Sequence, residues 1–387
     1  MPGPLDGVRV LEMAGLGATP FGVMLLADLG ADVVRIDRPA KVAASTYEQA
    51  RAAADPRKSV LDRGRRSVVV DLKAPDGIEL VLRLVESADV LVEGYRPGVM
   101  ERLGLGPEPC MARNPRLVYG RLTGWGQEGP LAQRAGHDVT YIAVAGALRN
   151  VAREGQTPLP PLSLVGDMGG GGMLLALGVV AALFESRSSG RGQVVDAAMV
   201  DGVSTLLAMY FGLLAQGRWR DEPGVNFGDT GAPYYDVYET ADGGYLAVGP
   251  LEGQFYEEML QRMGIDPLTA PSREDEAQWP VLREFLATRF AERTRDEWEK
   301  VFDGSDACVA PALSFTEAPT HPHLVARSTY VERDGLVQPA PSPRFSRTPS
   351  ALPSPAPRRG EHADDALHDW GVPSADTARW RESGALR

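Results

Sequence analysis

Cysteine and lysine are scarce in this 387-residue chain. Two cysteines, Cys110 and Cys308, are too few for a disulfide framework or a cysteine-based metal site, so we expect no metal and a reducing compartment. A net charge of −12 argues against a nucleic-acid partner, because polyanions are bound by a basic face or stripe. Four of the 40 basic residues are lysines, so an anionic ligand would mainly meet arginine, which holds phosphate bidentately.

Long apolar runs are scarce as well. The most apolar segment, residues 168–184, has 17 residues, and four of its first five are glycines. This length and composition favour a buried helix over a membrane span. No basic-then-apolar leader opens the chain. We therefore expect a cytoplasmic protein without a membrane partner.

Length and hydrophobic pattern predict two domains. In residues 1–200, apolar strand-like runs alternate with helical segments, which predicts a large Rossmann-like α/β domain with a mostly parallel sheet. Residues 201–225 are predicted to form a linker helix, and residues 226–317 a smaller α+β domain. Residues 330–387 are expected to complete the large domain. They contain a proline-rich strap over 337–357 and a terminal helix.

The glycines after the first predicted strand do not complete a dinucleotide-binding fingerprint. Gly15 and Gly17 follow the strand, but Pro20 occupies the place of the third glycine. Arg38 follows Asp37 at the carboxyl end of the next predicted strand, where open α/β sheets bind ligands. Taken alone, each such arginine is also explained as a solvated residue of a loop. Together they indicate an adenine nucleotide with a phosphorylated ribose; the others are Arg63, Arg65, Arg66, Arg96 and Arg102.

A histidine and an aspartate stand out as candidates for acid–base chemistry. His137 lies in AGHDVTY beside Asp138, where a hydrogen-bonded core histidine is the simplest alternative. Asp167 precedes four glycines and an apolar stretch, as a helix N-cap would. Each glycine costs about 0.5–1 kcal/mol inside a helix. The glycines therefore favour a helix start where the backbone closely approaches a ligand and its N–H groups meet negative charge.

Six motifs closely resemble the α-methylacyl-CoA racemases of the family III CoA-transferase (CaiB/BaiF) superfamily. They are GADVVRIDRP, VEGYRPGVMERLGLGPE, TGWGQEGP, AGHDVTYIA, PPLSLVGDMGGGGM and GRGQVVDAAMVDG, and the resemblance covers nearly the whole chain. It implies that His137 and Asp167 flank the α-carbon of a 2-methyl-branched acyl-CoA thioester. One base removes the α-proton to give an enolate, and the other returns a proton to the opposite face. CoA is then part of the substrate, and no other cofactor is expected.

The resemblance also implies contacts to CoA and an interlocked homodimer. Glu252 matches a glutamate that reaches the histidine from the other subunit, although a helix-start carboxylate explains this residue equally well. We expect Asp138 to support the site. Ser163 stands where close racemases carry asparagine, which places the hydrogen bonding around Asp167 in question. The expected CoA contacts are Arg38, Arg63, Val70, Asp71, Leu72, Lys73, Gly94, Tyr95, Arg96, Arg102, Gly136, Val139, Thr140 and Tyr141.

Two other functions are compatible with the same motifs. In a family III CoA-transferase the aspartate at the position of Asp167 acts as a nucleophile that forms acyl-enzyme anhydrides. His137 favours the racemase, because a transferase has no use for a second proton-transfer base. A non-catalytic CoA-binding protein would be expected to lack one of the two bases, and this chain has both.

Overall fold

The computed structural model describes residues 2–40, 45, 49 and 53–387, which form two compact units. The first unit comprises the described residues up to Ala145, together with Leu162–Leu206 and Val331–Arg387. The second comprises Gly146–Pro161 and Leu207–Tyr330. Residues 146–161 therefore lie in the second unit, whereas the sequence placed them in the large domain.

Six parallel strands form the sheet of the first unit, in the order β3-β2-β1-β4-β5-β6. The register places Leu11 beside Val34 on one side and Leu91 on the other. The order reverses between β1 and β4, which is where open α/β sheets bind ligands. The predicted Rossmann-like parallel sheet is confirmed. Its strands are β1 (Arg9–Met13), β2 (Asp32–Asp37), β3 (Arg65–Val69), β4 (Val90–Glu93), β5 (Val118–Thr123) and β6 (Val194–Ala198).

Helices cover both faces of this sheet. Successive residues of β1 face two different cores: Val10 packs in a cluster with Leu175, and Leu11 in a cluster with Leu80. Coverage on both faces explains why the strands read as continuous apolar runs. In the part of the first unit up to Leu206, the described helices are α1 (Ala18–Asp28), α2 (Pro75–Val85), α3 (Val99–Arg102), α4 (Pro107–Arg113), α5 (Asp138–Val144), a π-helix (Leu164–Met173), α6 (Leu174–Ser189) and α7 (Met199–Leu206), with 3₁₀ turns at Pro56–Lys58 and Val60–Asp62.

The apolar segment Leu164–Ser189 is the one helical stretch among the described residues that is long and apolar enough to cross a membrane. Its composition alone is weak support for a span, because core helices pass the same test. Leu175, Val179 and Leu183 are buried in the core beneath the sheet, together with residues of α1. One side of the segment therefore packs in the core, whereas Leu177 and Phe184 on another side are exposed, so the predicted buried helix is confirmed only in part.

The second unit contains a three-stranded antiparallel sheet, including the hairpin predicted from the sequence. Its core contains Tyr238, Phe290 and Trp298. The predicted linker helix over 201–225 ends early, because Gly217 adopts a left-handed φ of 66° just beyond the last helical turn. The elements are α8 (Ala208–Ala215), β7 (Asp236–Glu239), β8 (Tyr245–Val248), α9 (Gly253–Arg262), α10 (Trp279–Phe290), α11 (Arg295–Phe302), β9 (Val309–Pro311) and α12 (Pro322–Ala326), with 3₁₀ turns at Leu148–Asn150, Glu276–Gln278 and Ala318–Thr320.

The last part of the chain contributes to the core of the first unit. A strand pair, β10 (Tyr330–Arg333) and β11 (Leu336–Pro339), precedes residues 340–357, which have no helix or strand, in agreement with the predicted proline-rich strap. Two helices follow, α13 (Ala363–Asp369) and α14 (Ser374–Glu382). Leu367, Trp370 and Trp380 are buried in the same cluster as Leu11. This part of the chain thereby covers one face of the six-stranded sheet.

Candidate active site

His137 lies immediately before α5, and its imidazole is exposed in the first unit. The backbone N–H of His137 donates to Thr140 Oγ1 at 3.0 Å, and the carbonyl oxygen of His137 accepts from the backbone N–H of Thr140 at 2.8 Å. These two bonds fix the backbone at the start of the helix and leave the ring outside the core. The structure therefore contradicts the simplest alternative from sequence, in which His137 is a buried structural residue.

Asp167 is the fourth residue of the π-helix and not its N-cap. Ser163 precedes the helix with a left-handed φ of 60°, and its carbonyl oxygen accepts from the N–H of Met168 at 3.2 Å. π-helices are rare, and π geometry next to an α-helix is frequently found at functional sites. Burial raises the pKa of Asp167, the neighbouring charge of Asp138 raises it further, and His137 lowers it. The carboxyl group therefore lies in an environment suited to a base stronger than an ordinary aspartate.

The four glycines after Asp167 have a packing function that the sequence did not predict. A Cβ atom on Gly172 would lie 2.7 Å from Ala18 O, and one on Gly170 would lie 2.8 Å from Val203 N. The π-helix thus lies directly against α1 and α7, at distances that exclude larger residues. The backbone N–H of Asp167 is not available to the negative charge of a ligand, because it donates to Asp138 Oδ1 at 2.7 Å.

Gly17 belongs to the site, although the sequence singled it out only as part of an incomplete dinucleotide fingerprint. It precedes α1 with φ 64° and ψ −113°, a conformation that residues with a Cβ rarely adopt. A Cβ atom on Gly17 would lie 3.2 Å from Asp167 Oδ2. The glycine loop after β1 therefore borders the carboxylate. No sequence pattern linked these two positions, which are far apart in the chain.

Tyr141 belongs to the segment that follows His137, and it packs against the residues that follow β5. Its ring is buried, packs edge-on against Trp125 with 4.8 Å between ring centroids, and leaves no room for a side chain at Gly124 or Gly136. Burial raises the pKa of Tyr141, and the charge of Asp167 raises it further. The structure thus brings together the expected segment 136–141 and Asp167. Val139 and Thr140, which belong to the same segment, are exposed.

The carboxyl ends of β2 and β4 hold a cation and an aromatic ring in contact. Arg38 lies over the ring of Tyr95, with its Cζ 4.5 Å from the ring centroid. Tyr95 donates its hydroxyl hydrogen to Ala14 O at 3.2 Å, so its side chain reaches the end of β1. Gly94 lies against Thr19 without space for a Cβ. Arg96 and Arg102 are exposed nearby in sequence, after β4 and at the end of α3.

The run from Val70 to Lys73 follows β3, the neighbour of β2 in the sheet. Val70 and Leu72 are buried, whereas Lys73 is exposed. Residues 385–387 lie along this run: Asp71 N–H donates to Ala385 O at 2.8 Å, and Arg387 pairs with the Asp71 carboxylate at 3.1 Å. Of these four expected CoA contacts, Lys73 is the one that presents an exposed cationic side chain.

Three arginines expected near a phosphate occupy structural positions instead. β3 begins at Arg65, two residues earlier than the apolar run suggested, so Arg63, Arg65 and Arg66 flank its amino end and not a ligand-binding carboxyl end. Arg63 is 3% exposed and donates to Asp28 Oδ1 at 2.9 Å and to Gln338 Oε1 at 3.0 Å. Arg65 is buried against Glu12 at 2.9 Å. We therefore exclude Arg63 from the candidate CoA site.

Glu252 lies in the second unit, immediately before α9, and is exposed. Its side chain makes no capping hydrogen bond to the helix, so capping does not account for the carboxylate at this position. In the part of the chain that the structure describes, no group of three or more His, Cys, Asp or Glu side chains is arranged to hold a metal ion.

The parallel sheet with its reversal beside β1, the arginine–tyrosine stack at this edge and the hydrogen bond between Asp138 and Asp167 belong to an α/β protein with a Rossmann-like sheet. The model of CoA-transferase family III matches residues 5–363. The chain belongs to this family, as the sequence motifs indicated.

Relatives within the family include racemases. The α-methylacyl-CoA racemase of Mus musculus is 44% identical over 370 residues, which cover 95% of this chain and 93% of the relative. The α-methylacyl-CoA racemase of Homo sapiens is 42% identical over 372 residues, with the same two shares. A CaiB/BaiF family protein from Brucella suis has a solved structure with a TM-score of 0.81 and 26% identity. The match covers 96% of this chain and 100% of that one.

Proposed function

We propose that this protein is a racemase that inverts the α-carbon of 2-methyl-branched acyl-CoA thioesters. The observation that carries the proposal is the linkage of the two candidate bases: His137 immediately precedes Asp138, whose carboxylate accepts the backbone N–H of Asp167. The identity to named racemases over 95% of the chain supports the same activity.

The reaction requires two proton-transfer groups on opposite faces of the α-carbon. In one direction a free base removes the α-proton, the electron pair passes to the thioester oxygen as an enolate, and the second group delivers its proton to the other face. Imidazole is suited to this exchange, since its ordinary pKa is about 6.5. The pKa of Asp167 is raised, which brings it closer to the ordinary pKa of an imidazole. A complete turnover leaves the pair in the protonation state that the reverse direction needs.

The proposed CoA site lies at the carboxyl edge of the sheet. Arg38, Lys73, Arg96 and Arg102 are exposed cations after or near the ends of β2, β3 and β4. Guanidinium groups bind phosphate through paired N–H donors, and an ammonium contributes a point charge. The segment 136–141 would accompany the pantetheine towards Asp167. CoA is part of the substrate, and we assign no further cofactor.

A second copy of the chain is the proposed partner. Met173, Leu177, Val180 and Phe184 recur at helical spacing and leave one apolar face of the π-helix and α6 exposed, with Phe184 77% exposed. An uncovered apolar stripe of this kind is typical of an interface. In the proposed homodimer, Glu252 approaches His137 of the other subunit. Leu177→Asp combined with Phe184→Asp should halve the mass measured by analytical ultracentrifugation, and retention of the dimer would contradict this assignment.

Deuterium exchange tests the proposed reaction directly. The protein is incubated in deuterated water with a single epimer of a 2-methylacyl-CoA, and the products are analysed by chiral separation and mass spectrometry. Both epimers should form, each with deuterium at the α-carbon. His137→Ala and Asp167→Ala should each reduce racemisation by about 10²–10⁴-fold without loss of CoA binding. Arg381→Ala, on the exposed side of α14, is the control.

A CoA-transferase is the contrasting outcome of this experiment. There Asp167 would attack the thioester carbonyl, CoA would leave, and an added carboxylate would receive it. Transfer of CoA to such an acceptor without α-deuterium incorporation would overturn the racemase proposal. Full racemisation by His137→Ala would overturn the role given to the histidine.

A further inference from the structure

Asp138 is a buried carboxylate, 7% exposed, at the first position of α5. Its Oδ1 accepts the backbone N–H of Asp167 at 2.7 Å, across 29 residues of sequence. A hydrogen bond to a charged acceptor is stronger than one between neutral groups, and it is strengthened further where water is excluded. The peptide that carries the Asp167 side chain is therefore held by the residue next to His137.

The close approach of Asp138 depends on the glycine before Asp167. A Cβ atom on Gly166 would overlap Asp138 Oδ1 and would lie 3.0 Å from both the Asp138 Cγ and the Ile142 Cγ2. A side chain at position 166 would displace either the carboxylate or the helix. Glycine at position 166 thus gives the Asp138 carboxylate the space that it needs to reach the backbone of Asp167.

The charge of Asp138 also acts on the candidate base. The groups that influence the pKa of Asp167 are its own burial, then Asp138, which raises the pKa, and His137, which lowers it. Tyr141, on the same helix as Asp138, experiences the charge of Asp167 in turn. Removal of the Asp138 charge while its oxygen remains would therefore make Asp167 more acidic.

We propose that Asp138 is a positioning residue for proton transfer: it clamps the peptide of Asp167 and so sets the carboxylate at the substrate α-carbon relative to His137. This inference rests on the proposed racemase activity. It assigns Asp138 no contact with the substrate and no proton to carry. One buried side chain thereby connects the segment that supplies the first base to the segment that supplies the second.

Two substitutions distinguish the effect of the Asp138 hydrogen bond from the effect of the Asp138 charge. Asp138→Asn retains a carbonyl oxygen for the Asp167 N–H but removes the charge, whereas Asp138→Ala removes both. For Asp138→Ala we expect kcat to fall about 10²-fold, the scale of a misplaced catalytic group, while KM for the acyl-CoA changes less than about 3-fold. Gly166→Ala should act like Asp138→Ala, because the added methyl group displaces the carboxylate. Asp365→Asn in the first turn of α13 is the matched control.

The pH profile of racemisation is a readout that a merely structural role would not change. In the direction in which Asp167 is the base, the acidic limb of kcat in Asp138→Asn should move to lower pH, because Asp167 remains ionised in more acidic solution. Wild-type kcat in Asp138→Ala, or an unmoved acidic limb in Asp138→Asn, would overturn the inference. If the unaltered protein shows no α-deuterium exchange, the proposed function itself fails, so the two failures are distinguishable. Asp138→Asn keeps the test valid even where Asp138→Ala does not fold.

Discussion

Arg38 and Tyr95 are stacked, with the guanidinium Cζ 4.5 Å from the ring centroid, although the two residues follow different strands. Tyr95 also donates to Ala14 O beyond β1, so the stack lies at the point where the strand order reverses. The stack orients an exposed guanidinium at the edge where this class of sheet binds ligands.

Arg38→Ala should raise KM for acyl-CoA about 10-fold or more and leave kcat within about 3-fold. A charge-assisted hydrogen bond contributes about 1.5–3 kcal/mol, which corresponds to that loss of affinity. Arg38→Lys should be intermediate, because an ammonium keeps the charge but not the planar fork. Steady-state kinetics and calorimetric titration with CoA provide the measurement. Unchanged CoA affinity in Arg38→Ala would contradict the proposed placement of the nucleotide.

Arg63→Ala should destabilise the fold without specifically weakening CoA binding. The side chains of Arg63 and Asp28 are 3% and 2% exposed, so removal of the cation leaves a buried carboxylate without its partner. Loss of one member of such a pair costs about 3–5 kcal/mol in the free energy of unfolding. Arg113→Ala, which breaks exposed pairs with Glu79 and Glu86, should cost less than about 1 kcal/mol. Urea unfolding of both variants tests the contrast, and a stable Arg63→Ala that has lost CoA affinity would reverse our assignment.

Asp167→Asn should increase stability at neutral pH while it abolishes racemisation. The pKa of Asp167 is raised in the folded state, so ionisation of this group opposes folding at pH values above the folded pKa. The gain in the variant should shrink as the pH falls through the folded pKa and should vanish below the unfolded pKa. Urea unfolding at several pH values measures this difference. A variant no more stable than the parent at pH 7 would contradict the sign of the effect.

Gly17→Ala should reduce kcat more strongly than Gly15→Ala. At Gly17 the positive φ makes alanine unfavourable by about 1–3 kcal/mol, and the new methyl group would lie 3.2 Å from Asp167 Oδ2. Gly15 has no positive φ, and a Cβ there would meet Thr19 only at ordinary contact distances of 3.6 Å and beyond. A displaced carboxylate predicts a loss of about 10–100-fold in kcat for Gly17→Ala. Equal kcat values for the two variants would show that Gly17 does not influence the position of Asp167.

The local pattern of the sequence was sufficient for most of the scaffold. Continuous apolar runs such as VVVD and DVLV predicted buried parallel strands, and the structure places them next to one another in the expected kind of sheet. Strand ends were less well predicted: β3 starts at Arg65, inside a run of charged residues, because Arg65 finds a buried partner in Glu12. The linker helix was predicted too long, since periodicity alone does not mark the left-handed turn at Gly217.

The sequence by itself determined the family, the sheet type and the two candidate bases, because long motifs and apolar periodicity are local properties of the chain. Tertiary structure alone decided which arginines are available to a ligand: Arg38 is exposed on an aromatic ring, whereas Arg63 is buried against Asp28. It also decided that Asp138 holds Asp167. Such pairings depend on how distant segments pack, and the burial of each charge follows from that packing and not from its neighbours in sequence.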